Sequence, residues 1–177
     1  MCLLNSRLLD FLFKLISVPF RGSFYSANKQ FIAPLPIRLP DAGTGEALTT
    51  IGKRLQGAAR ALEIERSGFR DWLSDLVGAP VSTLSGRTRL QRPDSLDAAE
   101  LLAILIKNRK SLAVDPGSRG VRDRLVIEHR ASVGRLGELR REIEGGEAEA
   151  DEIVFDLYGV TAQHRALVDA ATVPGSS

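Results

Sequence analysis

Residues 3–37 read LLNSRLLDFLFKLISVPFRGSFYSANKQFIAPLPI, and the expected fold is built outward from this stretch. Its first half carries apolar side chains at three- and four-residue steps, which is typical of one face of an amphipathic helix: Leu4, Leu8, Phe11, Leu12 and Leu15. Pro19 ends the predicted helix, because proline lacks an amide hydrogen and disfavours a helical conformation in the residue before it.

The second half of this stretch predicts a small irregular β element. A tight loop follows Pro19, where Gly22 permits backbone angles that other residues resist, and the β-prone pair Phe24–Tyr25 comes next. Pro34 and Pro36 require an extended backbone, since prolines at this spacing exclude both a helix and a central strand. We expect four large apolar side chains around the loop to pack inside the protein: Phe20, Phe24, Phe31 and Ile32.

Two stretches of the chain resemble the C-terminal specificity region of TaqI-like DNA adenine methyltransferases, including the fused restriction–modification enzymes. In the first stretch, the segments NSRLLDFLFK, SVPFRGSFY, NKQFI and PLPI occur in that order over residues 5–37. The second stretch, residues 151–161, reads DEIVFDLYGVT and is similar to the acidic and LYGLT-containing ending of the same enzymes. The two stretches occur in the order that the family has, and they leave most of the chain uncovered.

The resemblance implies that residues 1–40 are the end of a target-recognition domain that meets double-stranded DNA. Such recognition needs cations that contact phosphates and amide, hydroxyl or guanidinium groups that read base edges. Composition alone favours a solvated surface hairpin, whereas the resemblance makes DNA contact the better interpretation. The predicted DNA-binding residues are Arg21, Gly22, Ser23, Tyr25, Asn28, Lys29 and Gln30, with Lys14 as a further phosphate contact.

The resemblance also implies S-adenosylmethionine and a catalytic domain, but this chain carries neither signature. Enzymes of this family hold the cofactor on a parallel sheet and clamp a flipped adenine with an Asn-Pro-Pro-Tyr type motif. The sequence contains no such motif and no alternation of strands and helices. We therefore expect no cofactor and no methylation from this chain alone, and a separate catalytic methyltransferase domain or subunit as its partner. A helical pattern already under way at residue 3, without a cap before it, favours a fragment or a split subunit.

Residues 46–170 predict a helical spacer or docking region. Apolar spacing favours one helix over residues 48–65 and another that Ser67 caps. An almost wholly apolar helix follows, capped by Asp94 or Ser95, and we expect it to be the most buried.

Two further helices are predicted toward the end of the chain, over residues 125–143 and 148–158, and Thr161 caps a last short one. The apolar stripe of the first is narrow and near heptad spacing, as in a helical hairpin or a coiled-coil-like arm. Gly134 and Gly137 indicate a close helix crossing there, and residues 171–177 are expected to be a disordered tail. The predicted fold is therefore mainly α, with the small β element near the N terminus.

Other candidate sites are weaker. Three arginines in one loop are a possible second phosphate patch: Arg87, Arg89 and Arg92. His129 and His164 have no neighbouring partners at metal-ligand spacing, and Trp72 is expected in the core. The only cysteine excludes an intrachain disulfide and fits the cytoplasm, and no apolar run approaches the ~20 residues of a membrane span.

Charge distribution supports the front of the chain as the nucleic-acid side. The net charge of the chain is only +2, but residues 1–40 carry five basic side chains and one acidic one. We therefore expect a DNA-binding specificity fragment of a site-specific adenine methyltransferase from a restriction–modification system. Three alternatives remain open: a piece of a restriction specificity subunit, a helical adapter that binds only protein, and an inactive remnant of a truncated gene.

Overall fold

The computed structural model describes residues 2–20 and 24–172, and most of these residues are helical. Two-residue strands β1 (Pro19–Phe20) and β2 (Phe24–Tyr25) pair antiparallel. The mainly α fold and the small β element near the N terminus are confirmed. The helices are α1 (Arg7–Ile16), α2 (Lys29–Ile32), α3 (Ala42–Val77), α4 (Arg87–Leu90), α5 (Ala98–Lys107), α6 (Arg119–Tyr158) and α7 (Ala162–Thr172), and short 3₁₀ turns cover Val81–Thr83, Pro93–Ser95 and Arg109–Ser111.

The chain folds into two compact units. Among the described residues, unit 1 contains residues 2–20, 24–56 and 144–172, and unit 2 contains residues 57–143. Helices α3 and α6 each contribute one part to unit 1 and another part to unit 2. These two units are defined by spatial contacts. The boundary predicted near residue 40 divides the chain by function instead, and it remains a prediction.

Helix α3 is longer than the sequence pattern suggested at both ends. It starts at Ala42, where the Asp41 carboxylate accepts a hydrogen bond from the Thr44 amide at 2.7 Å and satisfies a free donor of the first turn. The hydrogen bond from the Thr44 amide lowers the pKa of Asp41. The cap expected at Ser67 is wrong, because α3 runs through that position without a break to Val77.

Helix α6 is also continuous, over 40 residues, so the prediction of two separate helices over residues 125–143 and 148–158 is wrong. A Cβ added to Gly146 would lie 2.7 Å from Leu55 Cδ2, so this glycine lets α6 approach α3 closely within unit 1. The close crossing expected at Gly134 and Gly137 is therefore wrong in position. A Cβ on Gly134 would meet nothing within 4 Å.

The core of unit 2 gathers large apolar side chains from α3, α5, the turns between them and the start of α6. Leu101 and Leu105 of α5 are fully buried, and Trp72 packs partly buried against the core. Asp97 caps α5 through a capping box with Glu100, so the cap predicted at Asp94 or Ser95 is wrong. The buried apolar residues of this core are Phe69, Leu73, Leu76, Val77, Val81, Leu84, Leu90, Leu96, Leu101, Ile104, Leu105 and Leu125.

Asp94 has a different role in unit 2. Its side chain is only 3% exposed and pairs with Arg66 at 3.1 Å and with Arg140 of α6. Burial acts to raise the pKa of Asp94, but the Arg66 hydrogen bond and both guanidinium charges outweigh it and lower that pKa. The carboxylate therefore stays ionised and ties α3 to α6 within this unit.

Unit 1 has a smaller core, built from α1, the first part of α3, the end of α6, and α7. Thr161 accepts a hydrogen bond from the His164 amide at the start of α7, as predicted. Helix α7 extends to Thr172, so the predicted tail is wrong for residues 171 and 172, and residues 173–177 lie outside the described part. The buried apolar residues of the unit 1 core are Leu8, Leu48, Ile51, Ala150, Val154, Phe155 and Val168.

Candidate nucleic-acid interface

The two stretches that resemble the methyltransferase family pack against each other in unit 1. At the first turn of α1, the Arg7 amide donates to Asp151 Oδ1 at 2.8 Å, and Arg7 Nε donates to Asp151 Oδ2 at 2.6 Å. A third bond joins Arg7 Nη1 to Asp169 of α7 at 2.7 Å. Because Asp151 is buried, this bidentate pair anchors the start of α1 to the C-terminal part of α6.

The Arg7 guanidinium also lies over an aromatic ring. Its Cζ is 5.6 Å from the centroid of Phe155, while Arg165 Cζ is 4.9 Å from the same ring. The hydrogen bond to Asp151 raises the pKa of Arg7 against the opposing effect of burial. The Arg7 side chain therefore makes its contacts within the protein, with Asp151, Asp169 and Phe155.

Tyr158 holds the other end of the front segment. Its hydroxyl donates to the Pro36 carbonyl at 2.7 Å and accepts from the Arg38 amide at 2.9 Å. Pro36 belongs to the extended PLPI segment, and Tyr158 belongs to the second stretch of the resemblance. The family-like residues of the two stretches are therefore in direct contact, although 122 positions separate this pair in the chain.

The β hairpin is attached to the end of α1. Ser17 Oγ donates to the Ser26 carbonyl at 2.9 Å, and the Phe13 and Tyr25 rings meet edge-on with centroids 6.5 Å apart. These contacts place the segment after β2 on the surface. Three of the predicted DNA-binding residues lie outside the described residues: Arg21, Gly22 and Ser23.

The other predicted contact residues share an exposed surface, with one exception. Tyr25 is exposed in β2, and Asn28, Lys29 and Gln30 are exposed at the start of α2. The Asn28 side chain occupies the N-cap position but makes no capping hydrogen bond, so its amide faces solvent. The exception is Lys14, whose ammonium pairs with Asp10 at 2.6 Å and is partly neutralised.

The apolar side chains of the front segment are less buried than expected. Phe24 is 74% exposed and Ile32 is also exposed, so the packing assigned to these two residues is wrong; Phe31 is half-buried, and the Phe20 side chain lies outside the described part. Two-residue strands and a four-residue helix provide too little surface to cover such groups. Among the described residues, the large exposed apolar side chains between positions 4 and 39 are Leu4, Leu15, Ile16, Val18, Phe24, Tyr25, Ile32, Ile37 and Leu39.

Several of the weaker candidate residues lie in unit 2. Arg89 pairs with Glu100 at 2.5 Å, whereas Arg87 and Arg92 are exposed. His129 is buried and its Nε2 lies 3.1 Å from the Pro93 carbonyl, edge-on to Phe69. Trp72 packs beside Phe69, as predicted. Within residues 2–20 and 24–172, no three His, Cys, Asp or Glu side chains are grouped to hold a metal ion.

Sequence reasoning missed the contacts that assemble this surface. Arg7 and Tyr158 both lie within the stretches that carry the resemblance, but nothing in either stretch alone indicates its partner across the chain. The charge signal was present: residues 142–156 carry seven acidic and no basic side chains, opposite to the basic front. That contrast is the one signal that pointed to Arg7 and Asp151 as a pair.

Comparisons with known proteins add no relatives. No protein-family model, no curated protein and no solved structure matches the chain. None of the described helices is both long enough and apolar enough to cross a membrane.

Proposed function

We propose that this chain is the DNA-binding specificity part of a site-specific DNA adenine methyltransferase of a restriction–modification system. In this proposal it does not catalyse methyl transfer alone. A catalytic methyltransferase domain or subunit supplies S-adenosylmethionine and the reacting groups, in the cytoplasm. This chain supplies contacts to double-stranded DNA.

One observation carries the proposal: the two family-like stretches form one structural piece. Arg7 binds Asp151, and Tyr158 binds Pro36 and Arg38. Two unrelated resemblances would have no reason to meet through their own residues. The contact therefore supports a single origin for both stretches.

The exposed polar groups support DNA as the ligand. Asn28, Lys29 and Gln30 present two amides and one cation on consecutive residues, and no ion pair engages Lys29 among the described residues. Amide side chains can bond adenine in the major groove, and a lysine can contact guanine or phosphate. The surface thus carries both positioning and reading groups within one short segment.

The exposed apolar side chains support the catalytic partner. Leu15, Ile16 and Val18 lie together at the end of α1, and all are exposed. Contiguous apolar surface of this kind marks protein contact sites more often than free surface. In the proposal, the catalytic part covers this end of α1.

The test is selection of bound duplexes from a pool with a randomised centre, using the full chain at low salt. We expect enrichment of a short sequence. The triple change Arg21→Ala, Asn28→Ala and Lys29→Ala should abolish the enrichment while leaving the circular dichroism spectrum unchanged. The control is the double change Arg60→Ala and Arg130→Ala. It also removes two positive charges, but from exposed positions on α3 and α6.

A helical adapter that binds only protein is the second candidate, and the apolar exposure of the front segment is the observation that favours it. An adapter would retain no duplex at any salt concentration. Retention of duplex with an unchanged sequence preference in the triple variant would overturn the assignment of residues 21–30 instead.

A further inference from the structure

Unit 2 carries a second concentration of positive charge, away from the hairpin residues in the sequence. Two of its segments contain no acidic residue: residues 79–93 and residues 101–114. The second segment contains Lys107, Arg109 and Lys110 within four positions. The part of α6 in unit 2 is also basic, with seven arginines against four acidic residues, but there the acidic residues are interspersed with the arginines along the helix.

A side-chain clamp joins the two acid-free segments. Asn108 Oδ1 accepts from the Ser85 amide at 2.8 Å, and Asn108 Nδ2 donates to the Ser85 carbonyl at 2.9 Å. The same Nδ2 donates to the Ile104 carbonyl at 2.8 Å, at the end of α5. Gly86 has a φ of +86°, and an added Cβ would lie 3.3 Å from Ile104 Cγ2, so the loop packs tightly against α5.

The cations around this clamp are available to a ligand. Lys107, Arg109 and Lys110 are all exposed, and none forms an ion pair or a side-chain hydrogen bond with the part of the chain that the structure describes. Positive charge at the end of α5 also favours the helix dipole. That effect accounts for one cation in the last turn, but it does not require three within a segment that contains no acidic residue.

We infer that this basic corner, which we define as Lys107, Arg109 and Lys110 around the Ser85–Asn108 clamp, binds the phosphate backbone of double-stranded DNA. Three exposed cations and the exposed Ser85 and Ser111 hydroxyls are suited to phosphate oxygens. The corner offers no amide free for base edges, because the Asn108 amide is used in the clamp. Contacts to phosphates carry no sequence information, so we expect this corner to add affinity and not sequence preference, and the inference rests on the proposed function.

Salt dependence tests the inference. Each phosphate neutralised contributes about −0.9 to the slope of log affinity against log salt concentration. For the full chain and a fluorescent 30-base-pair duplex, the variant Lys107→Gln, Arg109→Gln, Lys110→Gln should reduce the slope by about 2.7. Lys110→Gln alone should reduce it by about 0.9. Sequence preference in the duplex selection should stay as in the wild type.

The matched control is Arg60→Gln, Arg130→Gln, Arg141→Gln, which removes three exposed charges from α3 and α6. A slope equal to that of the wild type in the corner variant would overturn the inference, and so would an equal reduction in the control. Binding to anionic lipid vesicles without duplex binding would overturn it as well.

The two proposals fail in different ways. Substitutions in residues 21–30 should abolish the sequence preference, whereas substitutions in the basic corner should reduce the slope of log affinity against log salt concentration. A chain that binds duplex with unchanged slope in the corner variant would leave the proposed function standing. Trp72 fluorescence should be identical in all variants, because the substituted side chains make no core contacts.

Discussion

The two units differ in how they treat apolar side chains. Unit 2 contains fourteen buried hydrophobic residues and four large exposed ones among the described residues, whereas unit 1 contains eight and ten. Unit 2 thus buries most of its apolar surface within itself. Unit 1 leaves much of its own uncovered, chiefly in the front segment.

The stabilising contacts differ accordingly. Unit 1 joins its distant segments with charged and polar pairs such as Arg7–Asp151, Arg54–Glu149 and Tyr158–Pro36. Unit 2 has the larger packed core, and its ion pairs at Asp94 and Glu65 also join α3 to α6. The difference in burial predicts that unit 2 is the more stable unit, and the exposed apolar surface of unit 1 fits the proposal that unit 1 contacts other molecules.

The largest expected effect is in the unit 2 core. Leu105→Ala removes a fully buried side chain from α5 and should lower the free energy of unfolding by about 3 kcal/mol. Urea titration followed by Trp72 fluorescence measures this, because Trp72 packs against the same core. Ile106→Ala, one residue further and 44% exposed, is the control and should cost less than about 1 kcal/mol. Equal losses would contradict the burial pattern of α5.

Asp94→Asn should cost about 2 kcal/mol, because it leaves the mostly buried Arg66 with only its long pair to Glu63, at 4.0 Å. Arg140 is more exposed and limits the loss. Asp123→Asn is the control, since its pair with Arg119 is long and exposed; it should cost less than about 0.5 kcal/mol.

The Asp94 effect should also depend on pH. The folded-state pKa is lowered, so the carboxylate stabilises the folded state fully above its unfolded pKa of about 4. This stabilisation is lost as the pH falls through the folded-state pKa. The difference in unfolding free energy between wild type and Asp94→Asn should therefore shrink below about pH 4. A difference that stays constant to pH 2 would exclude the ion-pair network as its cause.

Much of the helical structure could be predicted from the sequence, because apolar periodicity is a local property. The end of a helix depends on a competition that the sequence shows less clearly. Asp94 and Asp97 both precede the apolar run of α5, and Asp97 is the cap because Glu100 completes a box with it. Asp94 then became available to arginines from distant helices.

The surface of unit 1 could be predicted only in part. Polar residue types indicated a surface segment over residues 25–30, and in the structure all of these residues are exposed except Ser26, which is half-buried. The burial of Phe24 was mispredicted, because a side chain packs only if a neighbouring element covers it. Whether one does so is decided by contacts such as Arg7–Asp151, between residues 144 positions apart.

Those long-range contacts should be measurable in unit 1. Arg7→Gln removes a bidentate pair with a buried carboxylate and should cost about 1.5 kcal/mol. Lys14→Gln removes a half-exposed pair with Asp10 on the same helix and should cost only about 0.4 kcal/mol. Circular dichroism during urea titration measures both. A larger loss for Lys14→Gln would mean that the front segment is not held through Arg7.

The smallest effect separates two neighbouring glycines of α6. Gly145→Ala should raise the free energy of unfolding by about 1 kcal/mol, because alanine favours a helix and its Cβ would meet nothing within 4 Å. Gly146→Ala gains the same propensity, but its Cβ would lie 2.7 Å from Leu55 Cδ2 and must displace that side chain. We therefore expect no gain at Gly146 in the same titration. Equal gains at both positions would mean that α3 and α6 do not approach closely there, and that unit 1 is looser than its core suggests.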